Sequence, residues 1–188
     1  DDTVRFFDFI KNVLTTAEAG SLECRTFIKQ GAERCIRIFV RPQVGEGNRV
    51  TTIIGAIQDI TERKQAEESL RVAEADYRTI FEGAPLGIFQ STVDGRFKKV
   101  NQTMAEMYGY RSSSEMIADV KSIAGQIYSQ PMSHQKFMRL LAEHGEVFGY
   151  ESLDRHKTGS TFWTSTNAHM VKNKSGEFLY YEGFVIDI

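Results

Sequence analysis

The feature that most constrains this chain is an internal repeat. Gly55-Ala56-Ile57-Gln58-Asp59-Ile60 is echoed 128 residues later by Gly183-Phe184-Val185-Ile186-Asp187-Ile188. Each copy follows an extended stretch, RVTTII in one case and EFLYYE in the other. Upstream, KNVLTTAEAGSLE pairs with RLLAEHGEVFGYE, a helix-like run that reaches Gly20 or Gly145 and then a strand. Two more strand-like runs follow in each copy: first CIRIFV (35–40) and FWTSTNAHMV (162–171), then the terminal strands. The order helix, strand, strand, strand, Gly-x-x-x-Asp-Ile therefore occurs twice, as expected of two copies of one fold.

The copies are unequal. The second is preceded by GIFQST, Asp94-Gly95 and RFKKVN, a hairpin pattern in which Asp-Gly supplies the positive φ values that a tight turn needs. Asn101 then reads as the N-cap of a helix in QTMAEMYGY, with Gly109 near its end. Nothing equivalent precedes residue 4, so the first copy reads as the latter half of a domain. The chain starts at Asp1 without a Met, which suggests a piece of a longer protein.

Between the copies, TERKQAEESLRVAEADYRTIFEG reads as one helix capped by Thr61, unbroken until Gly83 and Pro85. Ala66, Leu70, Ala73, Tyr77 and Ile80 are spaced 4, 3, 4, 3, which is an a/d seam. Glu67–Arg71 and Glu74–Arg78 flank it as acid-before-base pairs. The seam predicts a parallel homodimer; the alternative is an amphipathic helix docked on its own domain. The net charge of −2 falls wholly on residues 61–82, which hold four basic and six acidic residues. Such balance elsewhere leaves no electrostatic footprint for nucleic acid or an acidic membrane.

Composition narrows the class further. At 188 residues the chain is one large domain or two small ones, and 41% hydrophobic with 26% charged residues matches a globular protein. No apolar run approaches the ~18–20 residues of a membrane span, and no signal peptide opens the chain. Cys24 and Cys35 form no CxxC pattern, which argues against a disulfide scaffold or a zinc site and fits a reducing cytoplasm.

At this point the sequence resembles the PAS domain, the sensory module of bacterial signalling proteins. The resemblance rests on Asn101 followed by Met107-Tyr108-Gly109-Tyr110, the helix around Ser114-Glu115-Met116-Ile117, and Ile127-Tyr128 with Pro131. It continues through His144-Gly145-Glu146, Lys157-Thr158-Gly159-Ser160-Thr161-Phe162-Trp163 and Tyr181 to Ile188. In the first copy Asp59-Ile60-Thr61-Glu62-Arg63-Lys64 matches the signature joining such domains to a following helix. The resemblance implies an α+β fold: a five-stranded antiparallel sheet with short helices on one face, preceded by a long linker helix and the C-terminal half of a second PAS domain. The expected boundaries are residues 1–60, 61–82 and 83–188. Since the last strand is central in this fold, the incomplete first copy would leave the strand at about 50–58 with an unpaired edge, which another chain or a segment of this one is expected to cover.

The same resemblance places Tyr150, Ser152, Thr164, Thr166 and Val185 toward the helices, lining any pocket, and Trp163 on the outer face. Met104, Met107, Tyr108, Met116, Phe137, Leu140 and Leu141 read as core filling. Of the four histidines, His134, His144, His156 and His169, only His134 stands on the helix that carries the axial ligand in haem-binding relatives. Relatives without haem place Arg after the same Pro, and basic partners for haem propionates are not evident, so His134 reads as an ordinary helix N-terminal residue. For flavin, residues 118–128 lack the reactive Cys, and Thr164 and Val185 replace the amides that hold it, with Asp154 on the preceding strand. Neither haem nor FAD is expected, while a small-molecule ligand is allowed.

No P-loop, nucleophile elbow or metal-spaced cluster appears. Asp59, Thr61 and Asp187 read as signal-relay residues that fix the exit of the last strand, not as catalytic acids. The expected function is a non-catalytic sensory and dimerisation module of a cytoplasmic signal-transduction protein, relaying a ligand or partner signal through the linker helix to an output domain such as a histidine kinase. The alternative is a haem- or FAD-binding redox or gas sensor coupled to a kinase or a cyclic-di-GMP enzyme.

Overall fold

The repeat in the sequence is a repeat of strand register. In the computed structural model, which describes residues 2–27, 33–47 and 49–188, the chain divides into two units, residues 1–74 and 75–188. In the first unit α1 (Asp2–Thr16) leads into β1 (Gly20–Phe27), β2 (Glu33–Val44) and β3 (Val50–Asp59), an antiparallel sheet in the order β1-β2-β3. Helix α2 (Thr61–Gly83) follows and runs unbroken past the unit boundary.

The second unit continues with β4 (Gly87–Ser91), β5 (Phe97–Val100), α3 (Gln102–Met107), α4 (Ser113–Asp119), α5 (Ile123–Gln126) and α6 (Pro131–His144). Strands β6 (Glu146–Arg155), β7 (Thr161–Lys172) and β8 (Phe178–Asp187) complete a five-stranded antiparallel sheet in the order β5-β4-β8-β7-β6.

Across β2 and β3, Ile36 faces Asp59, Ile38 faces Ile57 and Val40 faces Gly55. Across β7 and β8, Thr164 faces Asp187, Thr166 faces Val185 and Ala168 faces Gly183. Every member of the second set lies 128 residues beyond its counterpart. The pairings Leu22 with Ile38 and Tyr150 with Thr166 keep that offset, which breaks only at a bulge between Val147 and Tyr150 where Gly149 takes φ 59°. The motif glycine has a steric cause: a Cβ on Gly183 would lie 2.2 Å from the Asn167 carbonyl oxygen, and one on Gly55 would lie 3.1 Å from that of Phe39.

Three hairpins of the second unit close with one loop geometry. In Thr92–Arg96, His156–Ser160 and Asn173–Glu177 the fourth residue's amide donates to the first carbonyl, and the first amide donates to the fifth carbonyl. The fourth residue is always glycine at positive φ: Gly95 at 75°, Gly159 at 94° and Gly176 at 82°. This is a type I turn followed by a left-handed residue, one residue longer than the tight Asp94-Gly95 turn expected from the sequence. Asp94 keeps a negative φ, because the right-handed turn asks for a positive value only at its exit.

Helices α3 to α6 cover one face of this sheet. Along β7, Thr164, Thr166 and Ala168 are buried against them, while Trp163, at 54% exposure, lies on the outer face as its parity predicts. Met104, Tyr108, Met116, Phe137 and Leu141 are buried, each such side chain contributing about 1.5–3 kcal/mol by removal from water, and Met107 and Leu140 pack partly buried against them.

The first unit is more open. Val13 of α1, Val40 and Ile60 are buried, but β3 pairs only with β2 among the described residues. Its expected cover is not supplied by any described segment of this chain. Ile57 is 69% exposed, whereas its counterpart Val185, enclosed by β4 and the helices, is 1% exposed.

Candidate functional site: a core cavity and two helix anchorages

Between the sheet and the helices of the second unit lies a cavity of about 40 Å³. Phe89, Met104, Ile127, Phe137, Leu141 and Val185 supply its apolar wall. Ser91, Thr166, His134 and Asp154 are among its polar lining residues.

Asp154, on β6, is 2% exposed. Its Oδ2 accepts a 2.5 Å hydrogen bond from the Tyr108 hydroxyl and its Oδ1 accepts one of 3.0 Å from Ser152 Oγ. Ser152 in turn lies 3.3 Å from Thr164 Oγ1. Among the described residues no Lys or Arg pairs with this carboxyl group. Burial therefore raises its pKa, outweighing the hydroxyl hydrogen bonds that favour the ionised form. Burial raises the Tyr108 phenol well above its ordinary value, aided by the Asp154 charge and hydrogen bond, and Tyr128 rises for the same first two reasons. His134 sits edge-on to Tyr128, with centroids 5.1 Å apart, and burial lowers its pKa, favouring neutral imidazole.

Of the residues expected to line a pocket, Thr166 and Val185 do so. Ser152 and Thr164 share their face but lie beside the cavity, engaged in the Asp154 network. Tyr150 is half-buried and donates its hydroxyl to the Ser133 carbonyl at 2.7 Å, which turns it away from the wall. His134, in the first turn of α6 as expected, also lines the cavity, because α6 starts close enough to Tyr128 for the two rings to meet. Sequence reasoning missed Asp154 as a wall residue, although it is the next inward position after Ser152 on the same strand.

Asn101 closes the cavity helix onto the end of α2. It is fully buried and caps α3 by accepting from the Met104 amide at 3.0 Å, while the same oxygen accepts from Ile88 at 2.9 Å. Its amide nitrogen donates to the carbonyls of Phe81 and Leu86, each at 2.9 Å. Glu82 accepts from the Gln102 amide at 2.9 Å, Tyr77 stacks on Phe81, and the Lys99 ammonium lies over the Tyr77 ring. These contacts explain why the unit boundary falls within α2 instead of at its end.

The start of α2 is fastened separately, within the first unit. Asp59 Oδ1 accepts from the Thr61 amide at 2.9 Å and its hydroxyl at 2.6 Å. Thr61 Oγ1 also accepts from the Cys35 amide at 3.0 Å, so Thr61 ties β2 to the helix and Asp59 takes the capping role that the sequence assigned to Thr61. Glu23 gathers Arg37, Arg63 at 2.9 Å and Lys64 at 2.7 Å, and these cations bring its pKa down to about 2. Asp187 ends β8 opposite Thr164, with its carboxyl group exposed and no side-chain bond among the described residues.

Along α2 the seam residues Ala66, Leu70, Ala73, Tyr77 and Ile80 are exposed. Tyr77 is partly engaged by Phe81 and Lys99, whereas Leu70 is 61% exposed. The expected flanking pairs rearrange: Arg71 forks onto Glu68 at 2.7 and 2.8 Å, Glu67 faces Arg63, and no ion pair joins Glu74 to Arg78 among the described residues. Arg71 lies closer to Glu68 because residues three apart are also helix neighbours.

Among the described residues no His, Cys, Asp or Glu cluster could hold a metal ion, and no helix is long and apolar enough to cross a membrane. None of the curated protein sequences matches the chain. Solved structures share the fold. A PAS domain from Colwellia psychrerythraea is 17% identical, covers 62% of this chain and 97% of that one, and gives a TM-score of 0.53. The PAS domain of an HTR-like protein from Haloarcula marismortui is 22% identical, with coverage of 66% and 99% and a TM-score of 0.52. A PAS domain from a two-component sensor histidine kinase is 12% identical, with coverage of 63% and 98% and a TM-score of 0.50. Family profiles match as PAS fold over residues 75–188 and as PAS domain over residues 4–62. With one of these matches spanning more than half its length, the chain belongs to the PAS family of sensory domains.

Proposed function

We propose that the chain is a non-catalytic sensory and dimerisation module of a cytoplasmic signal-transduction protein. The core cavity of the second unit receives a small ligand without haem or flavin. Binding shifts the cavity wall, and α2 carries the shift as a change of rotation or pitch to an output domain, a histidine kinase. A ligand can do this only by binding one packing better than another. Two copies join through α2 and the PAS surfaces.

Asn101 is the observation that carries this reading. One buried side chain holds the amide of Met104, a cavity residue, and the carbonyl of Phe81 in α2. The wall therefore cannot move independently of the helix end. The opposite end of α2 is fastened by Asp59, Thr61 and Glu23, as a transmitting element requires. The likeness to a PAS domain of a sensor histidine kinase supports the choice of output.

Sedimentation of the Leu70→Asp variant tests the dimer. The wild-type chain is expected to sediment as a dimer and the variant as a monomer with unchanged circular dichroism, because Leu70 is exposed within one chain. Dimers that survive the substitution place the interface elsewhere. His134 in the cavity wall is the one feature favouring the haem- or FAD-bearing alternative. An absorption spectrum of the purified chain decides it: a Soret or flavin band overturns the cofactor-free reading.

A further inference from the structure

Among the described residues, the cavity wall holds one carboxyl group and no cation that neutralises it. Asp154 is almost completely buried, and its neighbours are hydroxyl groups: Tyr108 and Ser152 donate to it, and Thr164 stands behind Ser152. An ionised carboxylate has about four acceptor positions, and the Tyr108, Ser152 and Thr164 hydroxyl groups leave at least one of them open. A buried charge without a countercharge is costly, and hydroxyl groups compensate it only in part. The rest of the wall near it is apolar, with Met104, Ile127, Phe137 and Leu141 among its members. His134 is the one basic side chain in the wall, and burial lowers its pKa, which disfavours the charged imidazolium.

We propose that the cavity is selective for a small alkylammonium ligand, whose head donates to Asp154 while its carbons lie against the apolar wall. This rests on the cavity being the sensory site, and it adds the chemical class of what enters. Size bounds the class. At roughly 10–15 Å³ for each water position, a cavity of about 40 Å³ has room for about three water-sized groups. That suits an ammonium head with one to three carbons. A carboxylate ligand would face Asp154 as a like charge, and a neutral alcohol would leave the charge uncompensated.

Methyl-resolved NMR titration of the whole chain with ethylammonium chloride, against ethanol and sodium acetate at matched ionic strength, tests the proposal. Saturable shifts are expected at the methyl groups of Met104, Leu141 and Val185 with ethylammonium, weak shifts with ethanol and none with acetate. Asp154→Asn keeps the shape and removes the charge, and should weaken ethylammonium binding roughly 10- to 100-fold, the worth of a charged hydrogen bond. Tyr108→Phe removes one donor from Asp154 but keeps the carboxylate, and should bind ethylammonium at least as well as the wild type. That variant keeps the test decisive if Asp154→Asn fails to fold. Equal binding of ethanol and ethylammonium, or binding unaffected in Asp154→Asn, overturns the amine class. Xenon separates the two levels of the argument: xenon shifts at the same methyl groups without any amine response leave the cavity as a ligand site and reject the amine, whereas neither response rejects both.

Discussion

Asp154 and Asn101 are both buried polar side chains, and they are balanced in opposite ways. Asn101 makes four hydrogen bonds with neutral partners, so its burial leaves nothing unpaired. Asp154 accepts from hydroxyl groups and faces no cation among the described residues, so burial disfavours its charged form. The two acidic extremes, Asp154 and Glu23, should therefore bend the pH dependence of stability in opposite directions. Asp154 has a folded pKa above its unfolded value of 3.8, so the native state holds the extra proton and stability falls as pH rises from about 3.8 through the raised value. Glu23 is lowered from 4.5 to about 2, so its contribution is complete above pH 4.5 and is lost as pH falls toward 2. Urea unfolding across this range, followed by the single tryptophan Trp163 for the second unit and by amide exchange for the first, should lose the first slope in Asp154→Asn and weaken the second, which Asp2 shares, in Glu23→Gln. An unchanged Trp163 profile in Asp154→Asn would mean that the carboxyl group titrates alike in the folded and the unfolded chain. Strand parity made Thr166 and Val185 legible as wall residues. It did not reveal that Asp154 would draw Ser152 and Thr164 into its own hydrogen bonds, because parity fixes a face and not a partner.

Elements were more legible than their ends. Alternation placed every strand of the second unit, and the 4-3 spacing placed α2. The first hairpin is legible in Asp94-Gly95, yet the five-residue closure it shares with the other two depends on hydrogen bonds that an Asp-Gly pair alone does not specify. The β7–β8 pairing gives a steric prediction at this scale. Gly183→Ala would put a methyl group 2.2 Å from the Asn167 carbonyl oxygen, in backbone that cannot yield, and should cost about 2–3 kcal/mol or more in denaturant unfolding. Gly159→Ala meets nothing within 4 Å and suffers only its positive φ, at about 1–2 kcal/mol. Equal costs would mean that the strands separate readily at Gly183.

At the scale of the molecule, the repeat foretold two related units, but no local pattern could tell that equivalent residues would meet different surroundings. β8 lies between β4 and β7, whereas β3 has only β2 beside it among the described residues. Hydrogen exchange should protect the amides of Gly183 and Val185 on the order of 100-fold or more beyond those of Gly55 and Ile57. Equal protection that falls away on dilution would reveal a second copy covering β3.

The constant register has a consequence for recombination. Because Val40 with Gly55 and Ala168 with Gly183 are the same pairing in two places, a crossover from Val40 of one copy to His169 of the other keeps every later side chain in phase with the face it came from. The two copies are thus interchangeable cassettes of backbone, distinguished by what surrounds them, and strands can be exchanged between them without redesigning a single turn downstream of the joint.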